Sequence, residues 1–188
     1  MHFTDEYMCR NAIAYVKAEI LDDLGDRPVV TLGPQDSPVV RSLCKGLLST
    51  YLVDAGDRYL YVNRRHLLRA GVTEEQLHSR AVDNLLARAE ERLEVRPYRE
   101  AYFVLMGGDF EGSLLVADSF WETSVAHLCP HGVVVAAPAR DLLAFSDLTS
   151  SEGVAELRGF IARAEKADHP LTPILLRRTA GSWTPYVD

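Results

Sequence analysis

The sequence predicts an α+β fold: a largely antiparallel or mixed sheet built from hairpins, with three to four packed helices. Three observations carry this. Strand-like stretches come as neighbouring pairs joined by glycine-bearing turns, the mark of hairpins. Three Ser/Thr-x-x-Glu/Gln boxes announce helix starts. One long segment, Leu77-Ala81-Leu85-Ala89-Leu93, keeps an apolar residue at every fourth position, as an amphipathic helix does. Paired strands with interspersed helices, without strict alternation, belong to the α+β class.

The first element is a helix from Thr4 to near Gly25, with Met8, Ala12, Val16, Ile20 and Leu24 on one face. "GDRPVVTLGPQDSPVV" is punctuated by Gly and Pro and reads as a strand, a turn and an extended piece. The division falls here: an N-terminal helix and extended arm over residues 1–35, and an α+β domain over 36–188. "LLSTYLVDAGDRYLYVNRRHLL" is a hairpin turning in Asp54–Asp57. Asn63 then caps a short helix that Gly71 stops. Thr73-Glu74-Glu75-Gln76 is a capping box opening the long helix.

"AYFVLMGGDFEGSLLVAD" gives two strands around a glycine turn. Ser119 to Glu122 is a second box, opening a helix to about Leu128, a crossover that allows one parallel strand pair. "GVVVAAPARDLLAFSD" is two short apolar strands, with Pro138 at a bend or edge because it lacks a ladder donor. Thr149 to Glu152 is the third box, and Val154, Leu157, Ile161 and Ala164 line its helix. "LLRRTAGSWTPYV" closes as a hairpin turning at Ala180-Gly181.

Composition bounds the function. The 188 residues, 47% hydrophobic and 25% charged, suffice for one domain with a proper core. Three separated cysteines, Cys9, Cys44 and Cys129, read as reduced thiols of a cytoplasmic protein rather than a disulfide framework. Asp5 and Glu6 stand where a signal peptide needs basic residues. The longest stretch without Asp, Glu, Lys or Arg, Thr123 to Ala139, holds two histidines and two prolines and is no membrane span. The net charge of −7 argues against phosphate-based nucleic-acid binding and favours steering of a basic partner.

Few stretches carry chemistry. Gly107-Gly108-Asp109 comes close to the Gly-Gly-Asp-Glu-Phe signature of diguanylate cyclases, but Phe stands at 110 and the carboxylates that two metals need are missing. It reads as a hairpin turn whose glycines supply positive φ. His127, Cys129 and His131 alternate, so an extended segment would turn all three to one side as weak candidate zinc ligands; Pro130 and the want of a fourth ligand favour a buried, structural Cys129. No nucleophile elbow, Walker loop or dinucleotide fingerprint occurs, and no cofactor is expected. Arg80, Arg88 and Arg92 form a row, but interspersed acids make it a solvated face. Arg140-Asp141 between two apolar strands, and Trp183, are the residues put forward for contact with a partner; Trp121, beside Phe120 at a helix start, reads as core.

Four blocks in order, "RYLYVNRRHLLRAGVTEEQLHSRAVDNL", "DFEGSLLVADSFWE", "GVVVAAPARDLLAFSD" and "HPLTPILLRR", resemble the YtpQ-like family of bacterial proteins, a domain of unknown function. The resemblance runs from about Ser37 to Tyr186. It implies a small bacterial cytosolic α+β domain and brings no catalytic residues.

The expectation is a non-catalytic protein-binding module, in its narrowest form a toxin-neutralising immunity protein whose acidic surface suits a basic toxin. The alternative is an enzyme with a dispersed hydrolytic site, metal-dependent or not, with His127, Cys129, His131, Arg140 and Asp141 as first suspects. Neither nucleic acid nor membrane is an expected partner.

Overall fold

A computed structural model describes residues 3–19 and 32–187. The class is α+β, and the described residues form two sheets in which every pairing is antiparallel. In the first sheet, β3 (Leu47–Asp54) is central. It pairs with β1 (Ile13–Ala18) along one edge, and with β2 (Val40–Cys44) and then β4 (Tyr59–Tyr61) along the other. The second sheet has the order β10-β9-β7-β8-β6-β5, from β5 (Glu94–Tyr98), β6 (Ala101–Leu105), β7 (Val133–Ala139), β8 (Leu142–Asp147), β9 (Leu176–Thr179) and β10 (Ser182–Pro185).

The parallel pair allowed by a crossover through 118–128 does not form, because β8 lies between β6 and β7 and pairs antiparallel with both. β7 is buried along its whole length, as a strand covered on both faces must be. Val133, Val135 and Ala137 join the main core with the first sheet. Val134 and Ala136, of opposite parity, pack with Val154 and Leu157 of α4 (Ser151–Arg163). Pro138 is accommodated where the register shifts between Ala136 and Ala139.

The helix α1 (Asp5–Arg10) is much shorter than the sequence reading. Thr4 caps it by accepting from the Tyr7 N–H, and the chain becomes β1 from Ile13. Positions four apart share a face in a strand as well as in a helix, so the spacing of Met8, Ala12 and Val16 suited both. Burial of Ile13 to Val16 decided for the strand. Ile20 and Leu24 lie outside the described residues, as does the whole of "GDRPVVT". α1 packs on α2 (Arg64–Ala70) and α3 (Glu74–Glu90).

Both of these later helices begin and end as their residues dictate. Asn63 and Thr73 form reciprocal capping boxes with His66 and Gln76, and Gly71 closes α2 in the left-handed conformation. Leu77, Ala81, Leu85 and Ala89 of α3 are buried, the leucines contributing about 2 kcal/mol each by burial. The hairpins at Asp54–Asp57 and Ala180-Gly181 are present, with positive φ at Gly56, Ala180 and Gly181.

Two boxes resolve differently. Ser119 is itself helical and caps nothing; residues Phe120–Val125 form a π-helical turn. There the Trp121 indole donates to the Leu114 carbonyl, and Glu122 turns to Arg178. α4 is capped by Ser150 alone, with Gly153 at the third position, while Thr149 is engaged by Asp147. Among the described residues, no helix is long and apolar enough to cross a membrane.

Candidate functional site

The stretch Met106–Ser113 is not a hairpin. Gly107 and Gly108 do adopt positive φ, 94° and 89°, but no second strand follows. The Glu111 side chain, 2% exposed, folds back over the loop. One carboxylate oxygen accepts from the N–H groups of Met106 (2.7 Å) and Gly108 (2.8 Å), and the other from Phe110 (3.1 Å). Donors that a second strand would have paired are taken by one buried carboxylate, and the chain leaves as a 3-10 turn, Glu111–Val116.

This loop ties together two parts of the chain far apart in sequence. The Ser113 hydroxyl accepts from the Val16 N–H (3.1 Å), holding β1. The Gly112 N–H donates to the Arg140 carbonyl (2.8 Å), holding the tip of the β7–β8 hairpin. A Cβ at Gly112 would stand 2.5 Å from Leu171 Cδ1, 3.2 Å from the Ala139 oxygen and 3.3 Å from that of Arg140, so a larger residue would have to push Leu171 aside and crowd the hairpin tip. The other side of the tip is fixed by residues 169–172, which run against β7. The Arg140 N–H donates to His169 (3.2 Å), and Leu171 and Thr172 donate to Pro138 and Ala137. His169 takes φ 54°, a conformation few non-glycine residues adopt.

Between these supports lies a groove of about 550 Å³, within the range of ligand sites. Tyr15 to Ala18 of β1 form one wall; Arg140, His169, Pro170 and Leu171 form the other. Among the described residues, its ionisable side chains are Tyr15, Lys17, Arg140 and His169, with no carboxylate. Arg140 is about three-quarters buried. Burial works to lower its pKa, but the Tyr15 phenol and the charges of Asp109 and Asp141 outweigh this and raise it, so the guanidinium is a fixed cation. Asp109 stands 3.7 Å away at the rim. The Lys17 ammonium rests on Tyr61, donating to its hydroxyl at 3.2 Å. Beneath the rim, Phe110 meets Tyr15 and Tyr59 edge-on, and Arg88 lies over its ring while pairing with Asp54 at 3.2 Å. Arg88 is therefore engaged apart from the row with Arg80 and Arg92.

Asp141 shares the hairpin tip, and its buried Oδ1 has no hydrogen-bond partner among the described residues. Trp183 is not at this groove and is 4% exposed. Its indole donates to the Leu115 carbonyl (2.7 Å) and packs edge-on against Trp121 (5.0 Å between centroids), which makes it a core anchor rather than a partner contact.

His127, Cys129 and His131 do not converge. Among the described residues, no group of three or more His, Cys, Asp and Glu is placed to hold a metal ion. His127 is exposed. Cys129 is buried, and burial followed by the nearby Asp147 charge pushes its thiol up to about 12, leaving it protonated and unreactive. His131 turns to Asp147, whose carboxylate also accepts from the N–H and hydroxyl of Thr149. Burial works to raise the Asp147 pKa, but these hydrogen bonds and the His131 charge bring it down to about 2 from its ordinary 3.8. The sign follows: a depressed carboxylate stabilises the fold above about pH 4 and loses that contribution as pH falls through 2. Asp147→Ala is expected to lower stability by about 2 kcal/mol at pH 7 in urea unfolding. The gap to the parent protein should close between pH 4 and 2; a gap constant with pH would contradict the assignment.

A second, smaller cleft of about 170 Å³ opens where the two sheets meet. Arg41, Ser42 and Ser49 come from the first sheet, His78 from α3, Asp118 from the segment after the 3-10 turn, and Ser182 and Trp183 from β10. His78 Nδ1 lies 3.0 Å from the buried Tyr51 hydroxyl. Its pKa is lowered by burial and by Arg41, against a raising effect of Asp118, so the imidazole is neutral at pH 7. Apart from Trp183, none of these residues stands out in the sequence, because they come from five separate segments.

No protein-family model, no curated protein and no solved structure matches the chain.

Proposed function

We propose that the chain is a non-catalytic protein-binding module that receives a carboxylate-bearing segment of a partner protein in the Arg140 groove. The carrying observation is the groove's composition: a fixed guanidinium and a lysine ammonium beside Val16, Pro170 and Leu171, with no carboxylate among the described lining residues. A carboxylate entering here would displace Asp109 from Arg140, while the apolar wall would bury the adjoining side chains. The rigid supports around the hairpin tip reduce the ordering entropy lost on binding.

A net charge of −7 favours long-range steering of a basic partner, and the cationic groove is a local exception that reads one acidic group on it. That pairing suits the narrower reading of a toxin-neutralising immunity protein in the cytoplasm. The four blocks quoted above support a place in the YtpQ-like family. Tagged wild-type and Arg140→Glu proteins, recovered from the native cell, test the proposal. A partner that co-purifies in stoichiometric amount with the wild type and is lost at least tenfold from Arg140→Glu is the expected result. Equal recovery by both would rule out the groove.

An enzyme remains the second reading, and the observation favouring it is the neutral His78 imidazole in the smaller cleft.

A further inference from the structure

We infer that the cleft between the two sheets is a binding site for a small zwitterion of the α-amino acid class, its carboxylate received by Arg41 and its ammonium by Asp118. This is separate from the partner groove and does not depend on it.

The charges are arranged for such a ligand. Arg41 has no carboxylate partner among the described residues, so its guanidinium is available. Asp118 is held through Oδ1 by Arg178 at 2.8 Å, and its Oδ2 has no hydrogen-bond partner among the described residues. Arg178 is itself nine-tenths buried, lies over the Trp183 ring and also pairs with Glu122, so it fixes Asp118 from behind. Arg41, His78 and Asp118 line the same cleft, so both charges stand beside one imidazole. Arg41 and Asp118 balance within the cleft, as do Arg178 and Glu122 behind it. A purely anionic ligand would face Asp118 and a purely cationic one would face Arg41; a zwitterion satisfies both.

The rest of the lining suits the class. With Nδ1 taken by Tyr51, His78 has one ring nitrogen left for the ligand, and Ser42 and Ser182 add hydroxyls. Leu43, Leu115, Val116 and Trp183 give an apolar wall for a side chain. A cavity near 150 Å³ accepts benzene, so about 170 Å³ admits roughly six to nine non-hydrogen atoms, the range from alanine to leucine.

The test is calorimetric titration of the full chain with free L-alanine, L-valine, L-leucine, their N-acetyl and amide derivatives, and inorganic phosphate. At least one free amino acid should bind with a Kd below about 1 mM. Its N-acetyl and amide derivatives, which lack one charge each, should bind at least tenfold more weakly. Arg41→Ala, at an exposed side chain, should abolish the binding while leaving the unfolding midpoint in urea unchanged; Asp118→Asn should abolish it too, its amide oxygen still able to accept from Arg178. The inference is overturned if no free amino acid binds. It is equally overturned if binding survives both substitutions, or if phosphate binds in a manner dependent on Arg41 but not on Asp118.

Discussion

Glu111→Ala is expected to lower the stability of the fold by about 3–5 kcal/mol, the largest effect of any substitution considered for this chain. Hydrogen bonds to a charged acceptor are worth about 1.5–3 kcal/mol each, and losing the acceptor leaves buried donors unpaired. Three N–H groups, those of Met106, Gly108 and Phe110, depend on this one carboxylate. Glu111→Gln separates charge from shape. Its amide oxygen can still accept from Met106 and Gly108, but its NH₂ would face the Phe110 N–H, so an intermediate loss of about 2 kcal/mol is expected. Urea unfolding of the three proteins checks both values. A loss under 1 kcal/mol for Glu111→Ala would mean the loop holds without its carboxylate. Because Gly112 and Ser113 connect this loop to both walls of the groove, the alanine variant should also lose the partner.

The second large effect contrasts two glycines of α4. A Cβ at Gly153 would stand 2.5 Å from the Glu100 carbonyl oxygen and 2.7 Å from Ser146 Cβ, closer than real contacts allow. Neither atom is the end of a flexible side chain, so the helix itself must move off the sheet and loosen Val154 and Leu157 from Val134, Ala136 and Ala144. Gly153→Ala should therefore lower stability by about 3 kcal/mol. Gly159 has ordinary φ, and its Cβ would meet only the Arg163 side chain, nearest at 3.2 Å. That side chain can turn away, so Gly159→Ala should raise stability by about 0.5–1 kcal/mol through helix propensity and a less flexible unfolded chain. Urea midpoints moving in opposite directions are the expected result. A shift of the same sign at both positions would contradict the packing described for α4.

Much of the fold was legible because its signals are local. Asn63, Thr73 and Gly71 act on backbone groups within one helical turn, and the Asp54–Asp57 and Ala180-Gly181 turns act within four residues. The failures come from distant competitors. Nothing near Ala12 says that β3 will pair with Ile13 to Ala18. Nothing near Gly107 says that a buried glutamate, rather than a second strand, will take the loop's donors. Ser119 lost its box in a turn shaped by Trp121 and Arg178, a residue 59 positions away by sequence number. Trp183 sits in a four-residue strand at the sheet's end, where no pattern tells the buried face from the exposed one. Arg140 and Asp141 were visible as charges between apolar strands. Their neighbours Tyr15, Lys17 and His169 were not, since only the assembled fold brings them together.

Site-specific photo-crosslinking in the native cell tests the groove most directly. A benzophenone side chain is placed at His169, exposed at the groove, and in separate proteins at Leu68 and Tyr98, exposed elsewhere. Binding in the Arg140 groove predicts one protein adduct from position 169, none from 68 or 98, and its loss when Arg140→Glu is added. An adduct formed from 68 or 98 but not 169, or one indifferent to Arg140→Glu, would contradict it.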